Sequence, residues 1–244
     1  MSDFRTDLYH RYVSTFKTDE QREVDYRALH AYWDYCQRKY LPLLQAVPRD
    51  GAVLDLGCGA GYLLRFLMMQ GFSQVEGVDV SAEQVQLATK RGCRAGVVDA
   101  FRFLESRRQT FDAIIALDFV EHFTKEEVVR MLTSICDALK EGGVLLLQTP
   151  NGQGLFATEV IYGDFTHMTI FNPGSLAQLL RAAGFAEIRF TETGPVASNW
   201  MGLSRLMGWR LIRGAANFVR AVETGKRQEV WTENLICHCQ KQLG

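Results

Sequence analysis

The chain has 244 residues, 47% of them hydrophobic and 23% charged, so one α/β domain with a sizeable core is expected and a disordered or fibrous chain is excluded. Its formal net charge of −1 argues against bulk electrostatic capture of nucleic acid. No apolar run reaches the ~18 residues of a spanning helix, the polar N-terminus is no secretory signal, and six cysteines without a Cys-x-x-Cys pair read as buried free thiols in a reducing cytoplasm.

Residues 1–47 are aromatic-rich, and Tyr26, Leu29, Tyr32, Trp33, Cys36 and Tyr40 fall near helical spacing. They predict a helical cap over one end of the core, which itself spans 48–193. There, strand-like and helix-like segments alternate, the pattern of a mostly parallel sheet covered on both faces. The first strand is predicted at Ala52–Leu56, followed by a helix over about 61–70 and a second strand at 74–80. Ser81 caps a helix running to about Lys90. A short strand follows over 94–98, and the fourth, "FDAIIAL", covers Phe111–Leu117. Thr124 and Glu127 form a capping box for a helix to about Lys140, which Gly142–Gly143 break. "VLLLQT" is the fifth strand, Pro173 opens a helix ending near Gly184, and the sixth strand covers 185–191. The last strand is placed at 230–241. Between the two lies a helical insertion over 197–223, with Met207, Leu211, Ala215, Phe218 and Val222 on one face and Arg205, Arg210, Arg213 and Arg220 on the opposite arc with Trp209.

The first strand runs into Asp55-Leu56-Gly57-Cys58-Gly59-Ala60-Gly61. A dinucleotide fingerprint would need a small residue as its sixth, counting the first glycine as one, but Tyr62 and Leu64 stand there in the two registers. A phosphate loop would need a lysine after the glycines, and none follows. An acidic residue, one spacer and G-x-G-x-G resembles the first motif of the class I S-adenosylmethionine-dependent methyltransferases. The glycines allow a tight turn and close backbone approach, and the carboxylate stands at a strand's C-terminal edge, where open α/β sheets bind ligands. Asp79 lies 24 residues on, at the end of "VEGVD", Asp99 ends "GVVD", and Asp118 follows the fourth strand in "ALDFVEHF". "FNPGSLAQLLRAAGFAEIRF" resembles the subgroup containing the ubiquinone O-methyltransferases and many sugar and polyketide methyltransferases.

That resemblance implies a Rossmann-like, seven-stranded, mostly parallel sheet with the last strand antiparallel. It implies S-adenosyl-L-methionine as cofactor, held by Asp55, Gly57, Cys58, Gly59 and Gly61 of the turn. Asp79 would bind the ribose hydroxyls, with Val80 beside it. Asp99 would reach the adenine with Ala100 flanking the ring, although Asp99 also suits the N-cap of a following helix. Leu117 and Asp118 would complete the pocket.

Methyl transfer asks the enzyme to position a nucleophile and exclude water, and a hydroxyl acceptor must also lose a proton. His167, in "YGDFTHMTIF", is the expected acceptor-side base, with Tyr162, Asp164 and Thr166 in the same loop; His122 is the second candidate. Asp118, Glu121 and His122 stand at i, i+3 and i+4, which would suit a metal, but Asp118 belongs to the cofactor motif, so no metal is expected. The acceptor is expected to be a small molecule, a hydroxyl of a sugar or glycan precursor or of a phenolic or quinone precursor. An N- or C-methyltransferase, a nicotinamide dehydrogenase and a non-catalytic binding module are the competing readings. The helix at 200–222 reads as a packed lid or dimer helix with a solvated basic face, or as a membrane-surface contact.

Overall fold

The computed structural model describes residues 26–243 together with Leu8, so most of the first half of the expected cap lies outside the described residues. The elements in chain order are α1 (Tyr26–Lys39), a 3₁₀ turn (Leu41–Leu44), β1 (Ala52–Leu56), α2 (Tyr62–Met69), β2 (Gln74–Asp79), α3 (Ala82–Lys90), β3 (Ala95–Val97), α4 (Ala100–Leu104) and β4 (Phe111–Leu117). A second 3₁₀ turn (Val120–His122) leads to α5 (Lys125–Ala138), β5 (Leu139–Pro150), α6 (Thr158–Gly163), α7 (Pro173–Ala182), β6 (Phe185–Glu192), α8 (Trp200–Thr224) and β7 (Asn234–Lys241).

The seven strands stand in the order β3-β2-β1-β4-β5-β7-β6. β7 runs antiparallel to β5 and β6, and every other pair is parallel, so the sheet is the Rossmann-like one expected. β1 and β4 read as largely apolar runs, broken only by Asp55 and Asp112, because both faces are covered. Leu54, Leu56, Ile114, Ala116, Leu145 and Leu147 face α5 and α7 on one side, while Val53, Ala113, Ile115, Val144 and Leu146 face Phe66, Phe72 and Cys36 on the other.

The helix caps are local and follow the sequence. The Ser81 hydroxyl accepts from Gln84 N, and the Thr124–Glu127 capping box forms in both directions. Asn172 and Ser175 make a second box around Pro173. Each such cap stabilises its helix by about 1 kcal/mol.

Three boundaries differ from expectation. α5 stops at Ala138, and Leu139 already pairs with Phe111 in the sheet. Gly142, at φ +70°, and Gly143 therefore sit in a bulge within β5, after which Val144 pairs with Ala113. The last strand begins at Asn234, because Val230 and Thr232 give their carbonyls to Asn151 Nδ2 at 3.2 and 2.9 Å, and Trp231 N donates to Glu192 Oε1 at 3.0 Å. α8 is turned the opposite way from a packed lid. Trp209 Nε1 and Arg213 Nη1 both donate to Glu192 Oε2, at 3.1 and 3.0 Å, so part of the basic arc faces the body. Met207, Leu211, Phe218 and Val222 point outward and are exposed, and no residue of α8 is buried.

One glycine outside the motif is required by packing. Gly77 pairs with Asp55 across β1 and β2, and a Cβ there would lie 2.6 Å from Cys58 Cβ and 2.7 Å from Leu64 Cδ1. Gly77→Ala should therefore lower stability by about 1–3 kcal/mol, read as a lower urea midpoint at unchanged m-value. An unshifted midpoint would show that the turn relaxes without cost.

Candidate active site

The turn after β1 bends on three glycines in the left-handed region, Gly57 (φ +70°), Gly59 (φ +50°) and Gly61 (φ +78°). Two of them also allow close approach. A Cβ at Gly57 would stand 2.9 Å from the Phe119 ring, and one at Gly61 would stand 2.8 Å from Ala88 Cβ. The first contact brings the segment after β4 against the turn, and the second seats α2 against α3. The Cys58 thiol is buried and reaches only the Gly59 carbonyl at 3.8 Å.

Two carboxylates hold this turn. Asp79, at the end of β2, accepts from Gly59 N at 2.9 Å and from Ser81 N at 2.8 Å, fastening the glycines to the neighbouring strand. Val80 beside it is exposed. Asp55, at the end of β1, is buried and makes no ion pair among the described residues. Burial first, and then the Asp79 charge, push its carboxyl up to about 8.

Asp99 is exposed, and its side chain accepts from Arg102 N at 3.1 Å as the N-cap of α4, which begins at the buried Ala100. Asp118 follows Leu117 at the end of β4 with φ +49°, a conformation asparagine and aspartate tolerate better than most residues. Gln148 Nε2 donates to both of its oxygens, at 3.1 and 3.2 Å, and the Tyr40 hydroxyl donates to Gln148 Oε1 at 2.7 Å. This chain of three links the 3₁₀ turn after α1 to the sheet edge. Trp33 Nε1, donating to the Tyr62 carbonyl at 3.2 Å, holds α1 there as well. Neither Gln148 nor Tyr40 was singled out from the sequence for the site. A glutamine inside an otherwise apolar strand was the available signal.

His122 and His167 come together, their ring centroids 5.0 Å apart. His122 belongs to the 3₁₀ turn after β4, and His167 to the loop after α6. The loop is pinned because Met168 N and Thr169 N donate to the Glu121 carbonyl, at 2.7 and 3.0 Å. Thr166 donates its hydroxyl proton to Asp164 Oδ1 at 2.6 Å, so the contact between Thr166 Oγ1 and His122 Nδ1 at 2.9 Å has the imidazole as donor. His167 Nδ1 stands 3.1 Å from the Ile161 carbonyl, which only accepts. Both rings thus donate from Nδ1. Burial first, and then the facing His167, pull His122 down to about 4. Burial raises Asp164, but the hydrogen bonds from the Thr166 side chain and backbone outweigh it and hold its carboxyl below the ordinary value. Glu121 is fully buried, and burial followed by the Asp118 charge pushes its carboxyl well up. Tyr162, from the same loop, stands exposed.

An acidic, glycine-lined turn at the C-terminal edge of a doubly covered sheet, with no phosphate-binding lysine, defines an S-adenosylmethionine-dependent methyltransferase of class I. The sequence pattern described as "Methyltransferase domain" matches residues 27–189, and the chain belongs to that family. It is 30% identical over 156 residues to a ubiquinone biosynthesis O-methyltransferase of Xylella fastidiosa, a match covering 57% of this chain and 62% of that protein. It is 32% identical over 127 residues to the probable tRNA methyltransferase 9B of Bos taurus, covering 50% of this chain and 27% of the relative. The chain thus spans less than two thirds of either. Among solved structures, a SAM-dependent methyltransferase from Archaeoglobus fulgidus superposes with a TM-score of 0.65 at 21% identity, covering 87% of this chain and 94% of that one. The cofactor is S-adenosylmethionine.

Asp55 gives a pH signature. Its folded-state pKa lies above the ordinary value, so the folded protein prefers the protonated carboxyl. The preference stabilises the fold fully below about pH 4 and is lost as pH rises to about 8. Asp55→Asn should therefore raise the Tm of the ligand-free protein at pH 8 and above, with the gain vanishing near pH 4. A gain independent of pH in thermal melts would contradict the burial argument.

Proposed function

We propose that the protein transfers the methyl group of S-adenosylmethionine to a hydroxyl oxygen of a small molecule, of the phenolic or quinone-precursor class or a sugar precursor. The turn fits the cofactor by its donor set. Asp55 is a buried carboxylate without a cationic partner among the described residues, which suits a ligand carrying positive charge. Asp79, which fastens the turn through Gly59 N and Ser81 N, would accept from vicinal hydroxyls. Gly57, Cys58, Gly59 and Gly61 would line the chain of the cofactor. Val80, Asp99, Ala100 and Leu117 would border its nucleoside, with Asp118 at the transfer end. When bound, the cofactor supplies an activated methyl carbon whose electron pair leaves to sulfur.

The hydroxyl reading rests on one observation, the two facing imidazoles whose protons are both committed at Nδ1. With its Nδ1 donating, His167 would turn Nε2 to an acceptor that has to lose a proton, as a hydroxyl does. His167 is the acceptor-side group on the loop side of the pair, and His122 is held by Thr166, which in turn donates to Asp164. The similarity to the ubiquinone biosynthesis O-methyltransferases supports the same acceptor class.

A second surface bears on where the acceptor resides. Among the described residues no helix is long and apolar enough to cross a membrane. The outward face of α8 nevertheless bares Trp200 (81% exposed), Met201, Leu203, Met207 and Leu211, with Arg205 and Arg210 exposed among them. This face would rest on an anionic lipid surface and take up an apolar acceptor there.

Asp79→Ala should weaken S-adenosylhomocysteine binding on the order of 10–100-fold in calorimetric titration, the loss of one or two charge-assisted hydrogen bonds. An unchanged affinity would sink the assignment of this carboxylate. Incubation with the cofactor and a panel of catechols, hydroxyquinones and sugar nucleotides should yield a methoxy product by NMR, and His167→Ala should lower its turnover. Products methylated only at nitrogen or carbon would refute the hydroxyl reading. Vesicles containing anionic lipid should pellet the protein, and Leu211→Glu should release it. Dimerisation through α8 without any lipid binding would assign the face to a second copy instead.

A further inference from the structure

Gln148 follows the buried run Val144–Leu147 of β5 and is itself only 8% exposed. A carboxamide in such a place costs stability unless both of its ends are hydrogen-bonded. Here both ends are engaged. The Tyr40 hydroxyl donates to Oε1 at 2.7 Å, and Nε2 donates to Asp118 Oδ1 and Oδ2 at 3.1 and 3.2 Å. Gln148 also holds the backbone of the same aspartate, because Asp118 N donates to the Gln148 carbonyl at 3.0 Å.

Three features indicate that the chain serves Asp118 and not only the packing of α1. Asp118 keeps φ at +49°, a conformation that costs free energy in a residue with a side chain and persists where neighbours enforce it. The Gln148 amide works in one orientation, since turning it end for end would set Oε1 against an anion, and the Tyr40 proton directed at Oε1 holds the working one. α1 has other anchors, Trp33 Nε1 on the Tyr62 carbonyl at 3.2 Å and Lys39 Nζ on the Glu192 carbonyl at 2.9 Å. Asp118 itself is exposed, just past the end of β4 and beside β1, so the fixed charge stands at the open ligand edge of the sheet.

We propose that Tyr40 and Gln148 are positioning residues that hold the Asp118 carboxylate toward the sulfonium charge of S-adenosylmethionine, so that this contact favours the charged methyl donor over its uncharged product, S-adenosylhomocysteine. Asp118 stands at the transfer end on the reading proposed above, and the preference rests on that placement. When the methyl group leaves, the electron pair of its bond stays on sulfur, the sulfur becomes an uncharged thioether, and the attraction to Asp118 is lost. The contact thus helps to hold the donor and does not hold the product. Water screens the carboxylate in the ligand-free protein, and a ligand that covers it makes the attraction stronger.

The test compares two affinities and needs no methyl acceptor. S-adenosylmethionine and S-adenosylhomocysteine are titrated separately into the whole chain by calorimetry. Asp118→Asn keeps the side-chain shape and tolerates the positive φ, and it should weaken the donor about 10-fold more than the product. Gln148→Met and Tyr40→Phe should shift the same ratio in the same direction, by about 5-fold and about 3-fold. Trp33→Phe, which loosens α1 at the Tyr62 carbonyl and leaves Asp118 untouched, should not move it. Product binding by each variant shows that it is folded. A ratio unmoved by Asp118→Asn would overturn the charge preference. A ratio that Asp118→Asn moves but Gln148→Met and Tyr40→Phe do not, or that Trp33→Phe moves as far as they do, would overturn the positioning role and leave the chain an anchor for α1. If wild type binds both ligands and no substitution moves the ratio, this inference alone falls. If wild type binds neither ligand, the cofactor reading of the turn falls with it.

Discussion

The hydrogen bond from Gly59 N to the Asp79 carboxylate is the constraint on which the ligand edge of this sheet depends. It draws the glycine turn across from β1 to β2, and Gly57 N and Cys58 N both reach the Val78 carbonyl at the same place. Cys58 can lie against β2 only because Gly77 has no side chain. Asp55 is then enclosed beneath the turn with a second carboxylate for a neighbour, an arrangement that costs stability at neutral pH. The apolar sheet around it, with Leu54, Leu56 and Ile114 fully buried, offsets that cost. A buried Asp55 with no ion pair among the described residues would suit completion by a positively charged ligand.

How much of this was legible in the sequence depends on the range of each interaction. β1 and β4 could be read because a parallel strand buried on both faces is mostly apolar, and each carries a single aspartate. The caps at Ser81 and Thr124 could be read because partner and cap lie three residues apart, a spacing that Asn172 and Ser175 share without having been singled out. The early start of β5 could not, since it depends on Leu139 finding Phe111 in the sheet. The period of α8 revealed an apolar stripe but not its direction, which is set by Glu192, 17 residues before Trp209 and 21 before Arg213.

The site divides in the same way. Aspartates at strand ends stand out in a sequence because each follows an apolar run. Asp99 carried two readings, and its side chain is engaged as the cap of α4. The Tyr40–Gln148–Asp118 chain joins residues 108 and 30 positions apart, and no local pattern announces it. The pairing of His122 with His167 was equally hidden. Both were candidates, but their meeting depends on a loop that folds back from α6 onto the turn after β4.

Glu121 makes that meeting happen, and it does so with two separate groups. Its carbonyl takes the two amides that bring the loop back, while its side chain turns inward to Thr149 on β5. The loop after α6 is therefore tied to the segment after β4 at a residue three positions beyond Asp118, with Thr166–His122 and Thr169–Phe123 contacts beside it. Phe119, between them, closes over Gly57 and stacks edge-on to Phe123, 5.0 Å away, so the same short segment seals the glycine turn. The loop between 151 and 170 can then change its exposed residues, such as Phe156, Tyr162 and Phe165, without disturbing the turn that holds the methyl donor. On the reading proposed above, acceptor choice and cofactor binding would be mechanically separable, with the buried Glu121 as a joint between them.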